Sequence, residues 1–219
     1  RDLSKNVRDD LVQLLEAETN SKIKSAYSEG NAFYLLAFPT TRQVYCFDMR
    51  QPLEDGSARV TIWNNMDFNA WNAWENTVYM AHEDGLAEYR GYQDNGQAYR
   101  MVYFTNYFDL GNASQVKILK RLAITVIGAT GQDFVVKSGF DYNDVYNNYP
   151  LTVRQATTSE YNVAEYNEAE YTGGNLVDNV RVAGSGSGSV LQLGFEADLN
   201  GGALSIQKMD IYVKQGRTL

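Results

Sequence analysis

Alternating apolar and polar positions predict that this chain is mainly β-sheet. Two strand pairs recur about 45 residues apart, and tyrosines mark matching positions, since Tyr34 aligns with Tyr79 and Tyr45 with Tyr89. A third strand-like run follows each pair. The predicted strands of the two copies lie at 33–37, 44–48 and 59–63, and at 77–81, 86–90 and 99–103. Repeats of roughly 40 to 45 residues with several short strands are typical of β-propeller blades.

Two blades are too few to form a propeller, which needs about four to eight blades to close around its axis. We therefore expect either that another polypeptide supplies the remaining blades or that this sequence is the C-terminal piece of a longer protein. The first residue is Arg1 and not Met, which fits the second alternative.

The N-terminal segment has a helical pattern over about 25 residues. Leu3, Val7, Leu11 and Leu14 recur at the spacing of one helix face, which predicts an amphipathic helix. Gly30 is the expected left-handed cap at its end.

The C-terminal half predicts longer strands. Apolar alternation at 116–127 and 133–137, joined at 128–131, predicts one hairpin, and 189–197 with 204–214 predicts another through the turn residues Asn200 and Gly201. Strands of this length favour a β-sandwich or barrel-like platform. The Gly184–Gly188 segment reads GSGSG and suggests either a flexible linker or a mobile hairpin tip.

The sequence thus predicts three segments. They are an N-terminal helix at 1–30, two propeller-like blades at 31–112, and a β-rich platform domain at 113–219 with an acidic loop region at 141–182.

Composition narrows the chemistry. The net charge of −8 argues against a nucleic-acid-binding surface, and the acidic residues concentrate between 141 and 181. Such a cluster is usually a solvated face, although an acidic wall would also suit a channel past which DNA slides. No apolar run is long enough for a membrane helix, and no secretory signal is recognisable.

Candidate catalytic and metal-binding residues are few. Cys46 is the only cysteine and lies in an apolar strand pattern, which favours a packed thiol, and His82 is the only histidine. Asp141 and Asp144 are short-spaced oxygen donors but lack the rest of a calcium loop. We therefore predict no catalytic site, no metal site and no cofactor.

Three tryptophans, Trp63, Trp71 and Trp74, lie in the connection between the two repeats. Packing between blades is the favoured interpretation of these rings. Stacking on sugars is the alternative.

Two segments carry a family resemblance. Residues 29–40 read EGNAFYLLAFPT and lead to VYCFD at 44–48, and the chain closes with EADLNG at 196–201 and LSIQKMDIYVKQGR at 204–217. Both resemble tail proteins of short-tailed bacteriophages, known as DNA-stabilisation, tail tubular or nozzle proteins. The matching positions are Gly30, Phe33, Tyr34, Phe38, Pro39, Asn200, Gly201, Lys208, Asp210, Lys214, Gly216 and Arg217.

The resemblance implies a structural virion protein without enzymatic activity, assembled in the bacterial host cytoplasm and located in the phage tail. Its partners would be other copies of itself in a ring, the portal or adaptor and other tail proteins, and DNA that passes through the channel without sequence-specific binding. No membrane anchor is implied. A propeller-type carbohydrate-binding or glycan-degrading tail module is the alternative hypothesis, with the three tryptophans as stacking platforms. A general interaction propeller is a weaker alternative, since WD and kelch signatures are missing.

Overall fold

A computed structural model describes residues 2–18, 22–66, 68–82, 85–128, 131–154 and 177–218. It divides the chain into two compact units, residues 1–90 and 91–219. Both are mainly β, as predicted, and every strand pair is antiparallel. The described residues contain one short α-helix, and none of the sheets they form closes into a barrel. No helix within these ranges is long and apolar enough to cross a membrane.

The first unit contains the helix and two small sheets. The helix α1 covers Arg8–Ala17 and follows a 3₁₀ turn at Lys5–Val7. The strands are β1 (Lys24–Ser28), β2 (Phe33–Phe38), β3 (Gln43–Asp48), β4 (Arg59–Asn64), β5 (Ala70–Trp74), β6 (Thr77–His82) and β7 (Gly85–Glu88). Strands β1 to β4 form one sheet in sequence order, and β5 to β7 form the other.

The four-stranded sheet of this unit is covered on both faces. Leu35 and Val44 pack into a cluster with Val78 and Met80 of β6, so one face meets the three-stranded sheet. Phe38, Tyr45 and Phe47 pack on the other side against the helix residue Leu11. Burial on both faces explains the near-continuous apolar sequence of β2, FYLLAF.

The predicted N-terminal helix is confirmed but is shorter than expected. Its apolar stripe packs as predicted, because Leu3, Val7 and Leu14 surround Leu11 in the same cluster. The helix ends at Ala17, where Glu18 turns to an extended conformation and its carboxylate accepts hydrogen bonds from the amide and hydroxyl of Thr40. Residues 24–28, assigned to this region, form strand β1.

Gly30 does not cap the helix. It lies in the turn between β1 and β2 without a left-handed φ, and that conformation falls on Ala32 instead (φ 51°). A Cβ on Gly30 would come within 2.6 Å of the Asn76 side chain. A close approach, and not a positive φ, therefore requires glycine at this position.

The second unit places two sheets around one core. Its strands are β8 (Tyr99–Phe104), β9 (Gln115–Gly128), β10 (Asp133–Phe140), β11 (Asn147–Thr152), β12 (Val177–Ala183), β13 (Ser187–Gly188), β14 (Leu191–Leu199) and β15 (Leu204–Thr218). One sheet has the order β11-β10-β14-β8. In the other, β9 pairs with β12 and β13 along one edge and with β15 along the opposite edge.

Residues from both sheets share the core of this unit. Ile124 and Val126 of β9 pack with Phe134 of β10 and with Leu193 and Phe195 of β14. All five are at most 2% exposed. Sheets that bury alternate residues against each other in this way form the two layers of a sandwich-like packing.

Both predicted C-terminal hairpins are wrong, although their strands exist. Strand β10 pairs with β11 and β14 and not with β9, and β14 pairs with β10 and β8 and not with β15. Each connection therefore carries the chain from one sheet of the unit to the other. The turn residues Asn200 and Gly201 (φ 79°) lie at such a crossing.

The third predicted strand of the second repeat does not belong to the same sheet as the first two. Strand β8, which was predicted to extend the second blade, pairs with β14 in the second unit. The second unit therefore includes residues 91–112, which were expected to belong to the blade region. The three-stranded sheet β5-β6-β7 has no fourth strand among the described residues.

The GSGSG segment is neither a linker nor a hairpin tip. It continues the edge begun by β12, because the Gly184 amide donates to the Lys120 carbonyl, the Leu119 amide donates to the Gly186 carbonyl, and Ser187 and Gly188 pair with β9. Part of the acidic loop region is ordered as β11 and β12, while residues 155–176 lie outside the described residues.

Candidate functional site

The first set of family-motif residues belongs to the packing of the first unit. Phe33 and Phe38 lie at opposite ends of β2 and enter different clusters, one on each face of the sheet. Tyr34 packs against the helix-side cluster, and Pro39 begins the turn to β3. These residues are framework positions and line no described cleft.

The second set of motif residues lies in and before the last strand of the second unit. Asn200 accepts a hydrogen bond from the Gln93 side chain, and the Gly201 amide donates to the Tyr92 carbonyl. Lys208 and Asp210 form an ion pair at 2.8 Å on the surface of β15. Lys214, Gly216 and Arg217 continue this strand.

The pairing of β15 with β9 is long and interrupted. It extends from Leu204 opposite Gly128 to Thr218 opposite Gln115, with register shifts along the way. The Gln115 side chain donates to the carbonyl of Gly216. This C-terminal motif therefore specifies an outer strand that covers the whole length of β9.

The three tryptophans have different environments. The Trp63 ring stacks on Tyr89 at 5.3 Å and meets Phe33 edge to face, and Trp71 packs beside Phe68. These two rings are partly buried and pack against the core of the first unit. Trp74 is different, since it is 61% exposed.

The candidate reactive and metal-binding residues have structural surroundings. Burial raises the pKa of the Cys46 thiol to about 12, as expected for a packed cysteine. The Asp141 carboxylate accepts hydrogen bonds from the amides of Ser189 and Val190. In the part of the chain that is described, no three His, Cys, Asp or Glu side chains group around a possible metal position.

A charged cluster lies on the face of the β11-β10-β14-β8 sheet that points away from the core. Glu196 on β14 forms ion pairs with Arg100 on β8 at 2.9 Å and with Lys137 on β10 at 2.7 Å. These bonds, first of all the one from Lys137, lower the pKa of the Glu196 carboxyl. The cluster therefore links three neighbouring strands.

A shallow groove of about 500 Å³ lies beside this cluster. Arg100, Asp133, Glu196 and Asp198 supply its charges, and Thr152 lines its far side. The Thr152 hydroxyl donates to Asp133. The groove is therefore lined by charged groups of both signs and by a threonine hydroxyl.

Aromatic rings occupy the other end of the same sheet. Phe104 packs against Tyr146 at 5.1 Å, directly over Gly194, where a Cβ would meet the Phe104 ring at 2.4 Å. The Tyr107 and Tyr142 rings contact each other at a tilt, with their centroids 4.4 Å apart. Burial is the main reason that the pKa of Tyr107 is raised.

Local sequence patterns gave no signal for this surface. Arg100 and Glu196 are neighbours only because β8 pairs with β14, and these strands are almost a hundred positions apart. The one usable sequence signal for this surface is the alternation within each strand, which places Arg100 and Val102 on the same face of β8.

No protein-family model matches the chain, and neither does any curated protein. The function of this chain is therefore inferred from the residues and surfaces described above.

Proposed function

We propose that this chain is a structural virion protein of a phage tail nozzle and forms part of a ring-shaped tube for genome retention and ejection. The observation that carries the proposal is the position of the residues behind the family resemblance. Phe33 and Phe38 build both cores of the first unit, and the C-terminal motif forms the long strand β15 of the second. The residues that carry the resemblance thus serve the packing and the sheets of this chain. This supports a structural role for the protein.

The two sheets of the first unit are the proposed propeller-like blades. Each is an antiparallel sheet in which strands adjacent in sequence are neighbours, which is the connectivity of a blade. Four strands in one sheet and three in the other are close to the usual blade size. Further blades would come from other polypeptide.

Charge supports the same role. The net charge of −8 gives a chain that repels DNA at long range, so that DNA could slide past without sticking. Other copies in a ring, the portal or adaptor and other tail proteins are the proposed partners. Assembly would take place in the bacterial host cytoplasm, before the protein becomes part of the virion tail.

Microscopy of the full-length protein tests the proposal. We expect ring-shaped particles with a central channel in negative stain and a matching oligomer mass by mass photometry. The same particles should not retard duplex DNA in a gel at physiological salt. A protein that remains monomeric at all concentrations and does not join tails would contradict the proposal.

A carbohydrate-binding module is the second candidate, because Trp74 presents an exposed ring with Tyr79 at 6.5 Å. Aromatic faces of this kind can stack on sugar rings. Glycan-array binding that is lost in Trp74→Ala, with a normal fold, would support this function. Trp71→Ala is the matched control, since that ring packs against the core. An array without any binding would exclude it.

A further inference from the structure

Strand β8 forms an open edge of the second unit. Strand β8 pairs with β14 and with no other strand of the described ranges. Val102 and Tyr103 are 48% and 58% exposed. An uncovered edge strand presents a row of unpaired amide and carbonyl groups to which another strand can add.

The register identifies which groups point to this open edge. The Thr105 amide donates to the Leu193 carbonyl at 2.9 Å, and this pair continues the β8–β14 register. Hydrogen-bonded and non-hydrogen-bonded pairs alternate in an antiparallel ladder. The backbone groups of Tyr103, Met101 and Tyr99 therefore face β14. Those of Arg100, Val102 and Phe104 face outward.

The opposite edge of the same sheet is protected. The Val153 amide donates to the Gln132 carbonyl at 3.0 Å, so the backbone groups of Val153 face β10. Inward and outward backbone groups alternate along β11, and the ring nitrogen of Pro150 therefore lies on the outer side. Proline cannot donate a hydrogen bond there, which is a common protection of edge strands. Strand β15 is interrupted by register shifts and carries Lys208 and Lys214. Strand β8 contains neither proline nor lysine.

We propose that β8 pairs with β8 of a second copy of this chain, antiparallel about a twofold axis at Val102. The three residues with outward groups are symmetric about Val102, so this register satisfies all of them. Val102 then pairs with its own copy, and Arg100 pairs with Phe104 of the other copy. Two four-stranded sheets become one continuous sheet.

Side chains are complementary in this register. Arg100 lies beside a Phe104 ring, where the guanidinium and the aromatic face attract each other. On the other face Met101 lies beside Tyr103, a favourable sulfur–aromatic neighbour. A register centred on Arg100 would instead place two guanidinium groups opposite each other, which is unfavourable. The sequence YRMVYF thus favours the register centred on Val102.

This inference goes beyond the proposed function and does not depend on it. A twofold contact uses the same surface on both copies and closes after two, whereas a ring needs a heterologous contact between different surfaces. Ring formation and β8 pairing can therefore succeed or fail separately.

Cysteine cross-linking of the full chain tests the pairing. Residues opposite each other in a hydrogen-bonded pair have Cα atoms about 5.5 Å apart, which a disulfide can span. We expect Val102→Cys to form a disulfide-linked dimer under mild oxidation. Asn148→Cys is the matched control on the edge that contains Pro150, and it should remain uncross-linked. Equal cross-linking of the two variants, or none with Val102→Cys, would overturn the inference.

A second variant measures the effect on association. Val102→Pro removes an amide that points away from β14, so the ladder within the chain is preserved. We expect its dimer dissociation constant, measured by sedimentation, to rise at least tenfold, whereas Asn148→Pro on the protected edge leaves it unchanged. Far-ultraviolet circular dichroism verifies the fold of each variant. An unchanged dimer in folded Val102→Pro would contradict the pairing.

Discussion

The two units are both mainly β, but their strands are connected differently. In the first unit, strands that are neighbours in sequence are neighbours in each sheet, from β1 to β4 and from β5 to β7. In the second, β8 pairs with β14 and β9 with β15, so that partners are far apart in the chain. Hairpin signals in a sequence are local and describe only the first kind of pairing.

The difference extends to the cores. The first unit covers a single sheet on both faces, with a second sheet on one side and a helix on the other. The second unit has one larger cluster between two sheets. Ordering many distant residues costs more loop-closure entropy before it is offset by contacts, so we expect the second unit to fold more slowly.

The comparison of the two units can be tested by removing one buried aromatic ring from each of them in separate variants. Phe195 is 1% exposed and packs against Phe134 at 5.1 Å, and its replacement by alanine should lower the free energy of unfolding by about 3–5 kcal/mol. Hydrogen exchange by mass spectrometry should show the loss of protection in peptides from 91–219. Phe38→Ala is the counterpart for 1–90. Equal losses in both units from either substitution would contradict the division.

A second test concerns the residue at which β9 ends. Gly128 has φ 83°, and a Cβ there would lie 2.2 Å from the Ala203 carbonyl oxygen. Gly128→Ala should combine backbone strain of about 1–3 kcal/mol with an overpacking cost of about 1–3 kcal/mol. Gly111→Ala is the control, because Gly111 also has a positive φ (96°) but a Cβ there would meet no neighbour. The control variant therefore measures the cost of backbone strain alone. Chemical denaturation curves that coincide for the two variants would disprove the clash.

A third test measures how the free energy of unfolding of the second unit depends on pH in the acidic range. Hydrogen bonds from Lys137 and Arg100 lower the pKa of the Glu196 carboxyl below 4.5. Because the pKa is depressed in the folded state, the stabilisation is complete above pH 4.5 and is lost as the pH falls below it. Glu196→Gln should therefore flatten the stability profile in this range by about 1 kcal/mol or less. A profile parallel to that of the wild type would be evidence against the ion-pair contribution.

The last test uses the only cysteine as a reporter for the first unit. With a pKa of about 12, the Cys46 thiol should react with iodoacetamide at pH 8 on the order of 1,000-fold more slowly than an exposed thiol. Phe38→Ala should accelerate labelling through local opening. Phe195→Ala should leave the rate unchanged. Rapid labelling of the native wild type would show that the thiol is not packed as described.

Much of the fold could be predicted from sequence because alternation identifies strands individually. The runs at 33–37, 44–48 and 59–63 correspond to β2, β3 and β4, and the helix stripe packs as its spacing indicates. Pairing was predicted correctly where the turn is short and the partner is next in sequence. It failed at Asn200, where an Asn-Gly turn joins two sheets and not two paired strands.

The candidate surfaces were less accessible to sequence analysis. The Arg100, Lys137 and Glu196 cluster and the open edge of β8 exist only through pairing between distant strands. The proline that protects β11 is visible in the sequence, but its meaning depends on which way its nitrogen points. The sequence also did not show which tryptophan rings are exposed, because Trp71 and Trp74 differ only in their burial in the folded chain.

The GSGSG segment has a consequence for protein engineering. Its composition marks it as a spacer, and a designer would choose it for inserting a tag or for dividing the protein. Yet a Cβ would come within 2.4 Å of Leu119 at Gly184, within 2.7 Å of Phe140 at Gly186 and within 2.6 Å of Asp141 at Gly188. The same five letters that suggest tolerance thus include three positions at which any side chain would force a neighbouring side chain to shift.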